Sequence, residues 1–349
     1  MSVTTELLNL TATPEHCYWG YLDAAQDPVL TVESGTELWI EAVTHHSGDA
    51  PDLLMDDGVR AIWDGIPAAA RAPGVHIMTG PIAGAGAQPG DTLRVEILEM
   101  RPRLRYGSNC AANWGLFYDA FGKERITIYE LLDAPDGSFP TAARPVFGFD
   151  FTARERYDLP GVISTPDTAA RQPFGRPVTV PVRPHLGVMG VAPAGHERVS
   201  SIPPGVFGGN VDNWRFGPGA VVHYPVFHEG ARFFVGDPHF AQGDGEICGT
   251  AIEASLDVRL RLSVVDDLHV AAPLLHYGGQ WFTHGFGVSL DAAMRMAAEQ
   301  MLDLLVSRGG FTRDEAYSLA SVAIDLGVTQ VVDGTVGCHA AVADALLDG

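Results

Sequence analysis

The stretch Leu256-Asp257-Val258-Arg259-Leu260-Arg261-Leu262-Ser263-Val264 places an apolar residue at every second position. Side chains alternate faces along a strand, so the pattern predicts a half-buried strand with one dry and one wet face, as antiparallel sheets tolerate. Upstream, Thr92-Leu93-Arg94-Val95-Glu96-Ile97-Leu98 follows the turn Pro89-Gly90-Asp91 and sets Leu93, Val95 and Ile97 on one face. Leu38-Trp39-Ile40-Glu41-Ala42-Val43 follows the turn Glu33-Ser34-Gly35-Thr36 in the same way. Residues 28 to 100 therefore read as short strands and turns. Residues 101 to 180 carry many Pro, Arg and aromatic residues with little periodicity, and read as an insert of loops and some strands.

The helices come late. Ser289 caps a segment in which Met294, Ala297, Ala298, Met301 and Leu305 recur at helical spacing, ending near Gly309-Gly310. Thr312 and Glu315 form a capping box for a second helix running through Ala323. Strands first and helices last predict a mainly β fold, a β-sandwich or barrel with a small C-terminal α/β part. We expect one domain over residues 1–349, β-rich through 270, with a poorly patterned insert near 101–175 and a helical part over 285–349. The 40 glycines and 24 prolines agree with frequent turns and few long helices.

Acidic residues outnumber basic ones 43 to 22, giving a net charge of -21. Such a surface repels phosphate backbones and anionic headgroups, so nucleic acid and membrane are poor partners. The opening MSVTTELLNL lacks the basic and apolar regions of a signal peptide, and no apolar run approaches the roughly 20 residues of a membrane span. Cys17, Cys110, Cys248 and Cys338 are scattered, which suggests neither a disulfide framework nor a thiolate zinc site. A cytoplasmic protein is the expectation.

Chemistry concentrates between Pro203 and Glu253. Asp237 and His239 are two apart, so on a strand both point to one face. Asn210 and Asp212 precede them beyond Gly208-Gly209; Gln242, Asp244, Glu246 and Glu253 follow. Gly236, Gly243, Gly245 and Gly249 let the backbone turn so that polar side chains converge. His76, beside another glycine-rich turn, is a further candidate. Histidine with carboxylates suits zinc or another divalent first-row ion. Plainer readings stand beside this one. Asp-x-His is common by chance, and Asp244, Asn210 and Asp212 can all serve as turn residues. Cys248 reads as a structural thiol, His339 as a core histidine, and His45-His46, His223 and His228 as surface or strand positions. On residue chemistry alone, the site is rich in carboxylate and histidine.

Residues 181 to 265 also resemble the acetamidase/formamidase family in a dense, ordered series of motifs. These are Arg183-Pro184, Gly190-Val191-Ala192-Pro193, Ser201-Ile202-Pro203-Pro204-Gly205, Gly208-Gly209-Asn210-x-Asp212 and Pro225-Val226. Gly236-Asp237-x-His239, Gln242-Gly243-Asp244-Gly245-Glu246 and Cys248-Gly249-Thr250-Ala251-Ile252-Glu253 complete the run. His76, Gly80-Pro81 and Pro89-Gly90-Asp91 extend the resemblance upstream. Asp291-Ala292-Ala293-Met294, Asp314-Glu315-Ala316-Tyr317 and Gln330-Val331-Val332-Asp333-Gly334 extend it downstream, leaving 101–175 unmatched.

The resemblance implies a jelly-roll-like β-sandwich core, a homo-oligomer, and hydrolysis of formamide, acetamide or similar short amides to carboxylate and ammonia. It further implies a divalent metal, zinc first, held by His76, Asp212, Asp237 and His239. Glu246, Glu253 and Asp237 are then the candidate catalytic residues, and Asn210 and Gln242 the substrate-binding ones. One departure stands out: where the family carries an acidic residue, this chain has Ala83-Gly84-Ala85-Gly86-Ala87-Gln88, with Ala85 and Gln88 at the matched positions. That motivates a rival expectation, a catalytically silent ligand-binding relative. A third, a hydrolase of larger or cyclic amides or of esters, rests on Tyr106, Trp114, Phe117, Tyr118 and Phe121 as walls of a wider pocket, although the same residues suit an oligomer contact.

Overall fold

Leu256–Val265 forms the strand its alternation predicts, with buried and half-buried residues taking turns along it. In the computed structural model, which describes residues 7–111, 115–134, 138–151 and 170–347, this strand lies inside a nine-stranded sheet. It pairs antiparallel with Thr36–Ala42 on one side and Thr92–Pro102 on the other, so that Val258 faces both Ile40 and Met100. The wet face holds a ladder of opposite charges: Arg261 meets Glu37 and Glu96, and Arg259 meets Glu37 and Glu99. Directly opposed cross-strand pairs of this kind stabilise a sheet by a few tenths of a kcal/mol each, up to about 1.

The dry face shares an apolar core with a second, twelve-stranded sheet. Leu38, Ile40, Val95, Leu256, Val258 and Leu260 come from the first sheet; Leu186, Met189, Phe233, Val235 and Phe240 from the second. A central strand of the second sheet is Phe233–Ala241, antiparallel to His185–Gly190, Ile77–Gly84 and Ile252–Glu253. Within 101–175, the described residues form Tyr106–Ala111, Glu124–Leu131 and Ala142–Phe151, which carry this sheet outward. The fold is mainly β, built from multiple sheets.

Leu290–Ser307 and Arg313–Ala323 are helices, capped by Ser289 and by the Thr312/Glu315 capping box as the sequence predicts. Ala297, Met301 and Leu305 bury one face of the longer helix against Trp281 and Val342. The strands that follow, Asp325–Gln330 and Val336–Ala343, extend the nine-stranded sheet. Several elements depart from the strand-and-turn reading of residues 28–100: the short helical turns His45–Asp49, Pro51–Leu54 and Ala68–Ala70, and one longer helix. Asp57–Gly65 is a helix, with Asp56 accepting from the Val59 amide at 2.9 Å and Val59 and Ile62 buried one turn apart. Its short, mostly polar sequence holds one apolar stripe, and the packing supplies the rest.

Candidate active site

Phe233–Ala241 presents Asp237 and His239 at the end of the second sheet, and the spacing brings them together, with His239 Nε2 3.1 Å from Asp237 Oδ2. The strand is not regular there. Asp237 has φ 48°, and the ladder to the neighbouring strand skips Gly187 and Asp237 while pairing Leu186 with Pro238 and Val188 with Gly236. Asp212 (φ 50°) and Glu246 (φ 47°) also occupy the left-handed region. For residues with a Cβ this conformation costs about 1–2 kcal/mol each, and such strain concentrates where function needs a side chain aimed. Gly187 makes room for the group. A Cβ on it would lie 2.5 Å from His239 Cε1, 2.6 Å from Asp212 Oδ1 and 2.8 Å from Asp237 Oδ2.

Two sets of side chains converge closely enough to share one ion: Asp212, His239 and Glu246, and Asp237, His239 and Glu253, with the ligand atoms of each set within 4.8 Å of one another. Glu253 comes from the strand beside His239; its Oε1 accepts from the Ala251 amide at 2.9 Å, and its Oε2 lies 3.1 Å from His239 Nε2. Glu246 sits on a turn held to a second loop, where Gly245 N donates to Thr329 O and Val331 N donates to Gly245 O. That second loop brings in Asp333, which accepts from Asn210 Nδ2 at 3.1 Å. His76 stands slightly apart, its Nε2 3.7 Å from Asp237 Oδ2 and its Nδ1 against Ser201. His76, Asn210, Asp212, Asp237, Glu246, Glu253 and Asp333 line one cavity of about 290 Å3, with His239 buried behind the carboxylates; Gln242 does not line it either. Its amide nitrogen instead donates to the backbone oxygens of Asp212 at 2.7 Å and Thr329 at 3.3 Å, behind the cavity.

Burial dominates the electrostatics. It pushes Asp212 up to about 8, with Asp237 and Glu253 adding to the shift against the pull of His239. Glu246 and Asp333 are carried well above the carboxylate range by burial and by Asp212. Burial alone would lower His239, but Glu253 and Asp237 hold it well above an ordinary histidine. Burial would likewise raise Asp237, yet His239 and His76 keep it well below its usual range. A cation among these groups would relieve the crowding of carboxylates. Oδ1 of Asp212 and Oδ1 of Asp237 are buried with no hydrogen-bond partner. One imidazole with hard oxygen donors and two unpartnered carboxylate oxygens fits a divalent ion such as zinc.

Several lining residues lie outside the predicted set. His45 and His46, expected at surface or strand positions, are buried in a 3-10 turn, His45–Asp49, that walls the cavity. Thr44 caps that turn, and Asp49 orients His46 through a 2.9 Å contact to Nδ1 while accepting from Ser108 Oγ at 2.7 Å. Asp333 and Thr250 line the cavity too, and His185 lies behind it against His239, all three outside the predicted set. Ala85 and Gln88 lie in the turn between Ile77–Gly84 and Thr92–Pro102, with Ala85 N donating to Val32 O, and neither lines the cavity. Phe117, Tyr118 and Phe121 are exposed and do not line it either; Trp114 lies outside the described residues.

Residues 187–343 match the acetamidase/formamidase family. An acetamidase of Mycolicibacterium smegmatis is 31% identical over 255 residues, which cover 64% of this chain and 60% of the relative. A formamidase of Methylophilus methylotrophus is 30% identical over 226 residues, 55% of this chain and 52% of its own. The chain thus spans little more than half the length of these relatives. In three dimensions, the crystal structure of an acetamidase from Bacillus halodurans superposes with a TM-score of 0.75 at 24% identity, covering 98% of this chain and 99% of that one.

Proposed function

We propose that this chain, whose residues 187–343 match the acetamidase/formamidase family, hydrolyses small primary aliphatic amides in its cavity to a carboxylate and ammonia. The observation that carries this reading is the convergence of Asp212, Asp237, His239, Glu246 and Glu253 from separate segments, three of them on left-handed backbone. A divalent metal, zinc first, would be held by Asp237 and His239 with Asp212, and with His76 at the rim. Bound there, it would supply a positive charge able to polarise an amide carbonyl and acidify a water. Glu253, beside His239, takes a proton from the water that adds to the carbonyl carbon. Glu246, whose carboxyl burial and the neighbouring Asp212 and Asp333 push toward the protonated form, gives a proton to the amide nitrogen as the C–N bond breaks. Asn210 orients the carboxamide, and Gln242 positions Asp212 from behind.

The same reading treats the chain as one domain with a jelly-roll-like sandwich core, working in the cytoplasm as a homo-oligomer. The site of Ala85 and Gln88 favours an enzyme over a silent relative, since the acids absent there leave the cavity's donors intact. His239→Ala tests the proposal: ammonia release from acetamide and bound metal should fall together. Activity and metal content that both survive the replacement would refute the arrangement.

A further inference from the structure

Four residues lining the cavity bring only carbon side chains to it: Pro73, Val75, Ile202 and Val332. They come from three loops, each fixed by buried hydrogen bonds. Gly74 N donates to Gly20 O at 2.5 Å, and the Trp19 indole N–H donates to Val75 O. Ser201 N donates to the same Gly20 oxygen at 3.2 Å, and His76 N donates to Ser201 Oγ at 3.3 Å, so the loops carrying Val75 and Ile202 are sewn together. Gly74 is pressed so close that a Cβ would lie 2.7 Å from Gly20 O. On the third loop, Val332 N donates to Gln330 Oε1 at 2.8 Å. The apolar wall is therefore built in place and does not depend on a ligand to form it.

A wall of this size is more than formamide or acetamide can cover. The cavity, about 290 Å3, reaches the lower edge of the roughly 300–1,000 Å3 typical of pockets for much larger ligands. Acetamide has one methyl group beyond its carboxamide, so most of the apolar wall would stay against water, where it contributes nothing to binding. The carbonyl oxygen and amide N–H groups need polar partners when buried, and the histidines and carboxylates supply them. In a primary amide, the acyl chain is then the only group left to meet the carbon wall. Resting on the hydrolase reading above, we infer that the preferred substrate is a primary amide whose aliphatic acyl chain is longer than acetyl, seated against Pro73, Val75, Ile202 and Val332.

The experiment compares kcat/KM for ammonia release from formamide, acetamide, propionamide, butyramide and isobutyramide, with the Ki of acetate, propionate and butyrate as a binding readout. Each methylene added up to butyramide should raise kcat/KM by about fourfold or more. The carboxylates should tighten in the same order. Val75→Phe and Ile202→Phe, which fill the wall from different loops, should each lower the butyramide-to-acetamide ratio by about tenfold. A kcat/KM highest for formamide or acetamide and falling with chain length would overturn the inference alone. N-methylacetamide, followed by methylamine release, outperforming butyramide would overturn the placement of the acyl chain. No ammonia from any amide would overturn the hydrolase reading itself, and carboxylates that then bound without chain-length order would remove the inference with it.

Discussion

His185 stands directly behind His239, its Nε2 3.0 Å from His239 Nδ1 and its own Nδ1 2.7 Å from the Arg183 carbonyl oxygen. Burial, with the nearby charge of His239, pushes His185 down to about 3, so it is neutral at physiological pH. Its Nε2 also lies 3.0 Å from Gln242 Oε1, so Arg183 and Gln242 together hold the ring in place behind His239 Nδ1. The remaining nitrogen of His239, Nε2, is thereby turned toward Asp237 and Glu253. An outer hydrogen bond that fixes a ligand's tautomer is worth about 10–100-fold in metal affinity.

His185→Leu is accordingly expected to weaken zinc binding by about 10–100-fold while the fold persists. His185→Gln, whose side-chain amide can still hydrogen-bond to His239, should lose less. Titration against a zinc chelator of known affinity, with circular dichroism as the control for folding, reads both. Equal zinc affinity in His185→Leu and the parent would remove the orienting role.

Gly187 is the floor on which His239, Asp212 and Asp237 meet. Gly187→Ala inserts a methyl group within 2.5 Å of His239 and 2.6 Å of Asp212. The groups must move apart, and displacements of this order cost about 100-fold in turnover; the overpacking should also destabilise the fold by about 1–3 kcal/mol. Ammonia release and a urea midpoint measure the two effects. Parental values in both would show that the backbone yields freely.

Away from the cavity, His284 sets a pH dependence of stability. It is fully buried, with Nδ1–H donating to Pro273 O at 2.8 Å and Nε2 accepting from Asn213 Nδ2 at 3.0 Å, and burial lowers it to about 3. In the unfolded chain the same group titrates near 6.5. A depressed folded value means the contribution is present above about pH 6.5 and is lost as pH falls toward 3, because only the unfolded state takes up the proton. His284→Gln should flatten the acid side of the stability curve by up to about 1.4 kcal/mol per pH unit in that window. Urea midpoints at pH 7 and pH 5 test this, and an unchanged slope would contradict it.

What the sequence discloses follows the range of the interactions. The strand at Leu256–Val265 and the helix at Arg313–Ala323 are legible because alternation and a capping box are local codes. Asp237 and His239 are legible for the same reason, being two residues apart on one strand. Helix Asp57–Gly65 is less so, since its short apolar stripe gains stability only from the packing of Val59 and Ile62. His45 and His46 escape because nothing near them in sequence announces burial. Their place beside His76 depends on how the 3-10 turn docks against Tyr106–Ala111 through Asp49 and Ser108. His185 is hidden for a similar reason: its meaning lies in a partner 54 positions away.

Metal-dependent amide hydrolysis in this cavity is tested most directly by ammonia release from aliphatic amides by protein as purified, stripped by chelation, and reloaded with zinc or manganese. Release should disappear on stripping and return on reloading. Release that persists undiminished in protein shown to be metal-free would contradict the metal's role, and no release from any amide by metal-loaded protein would contradict the function.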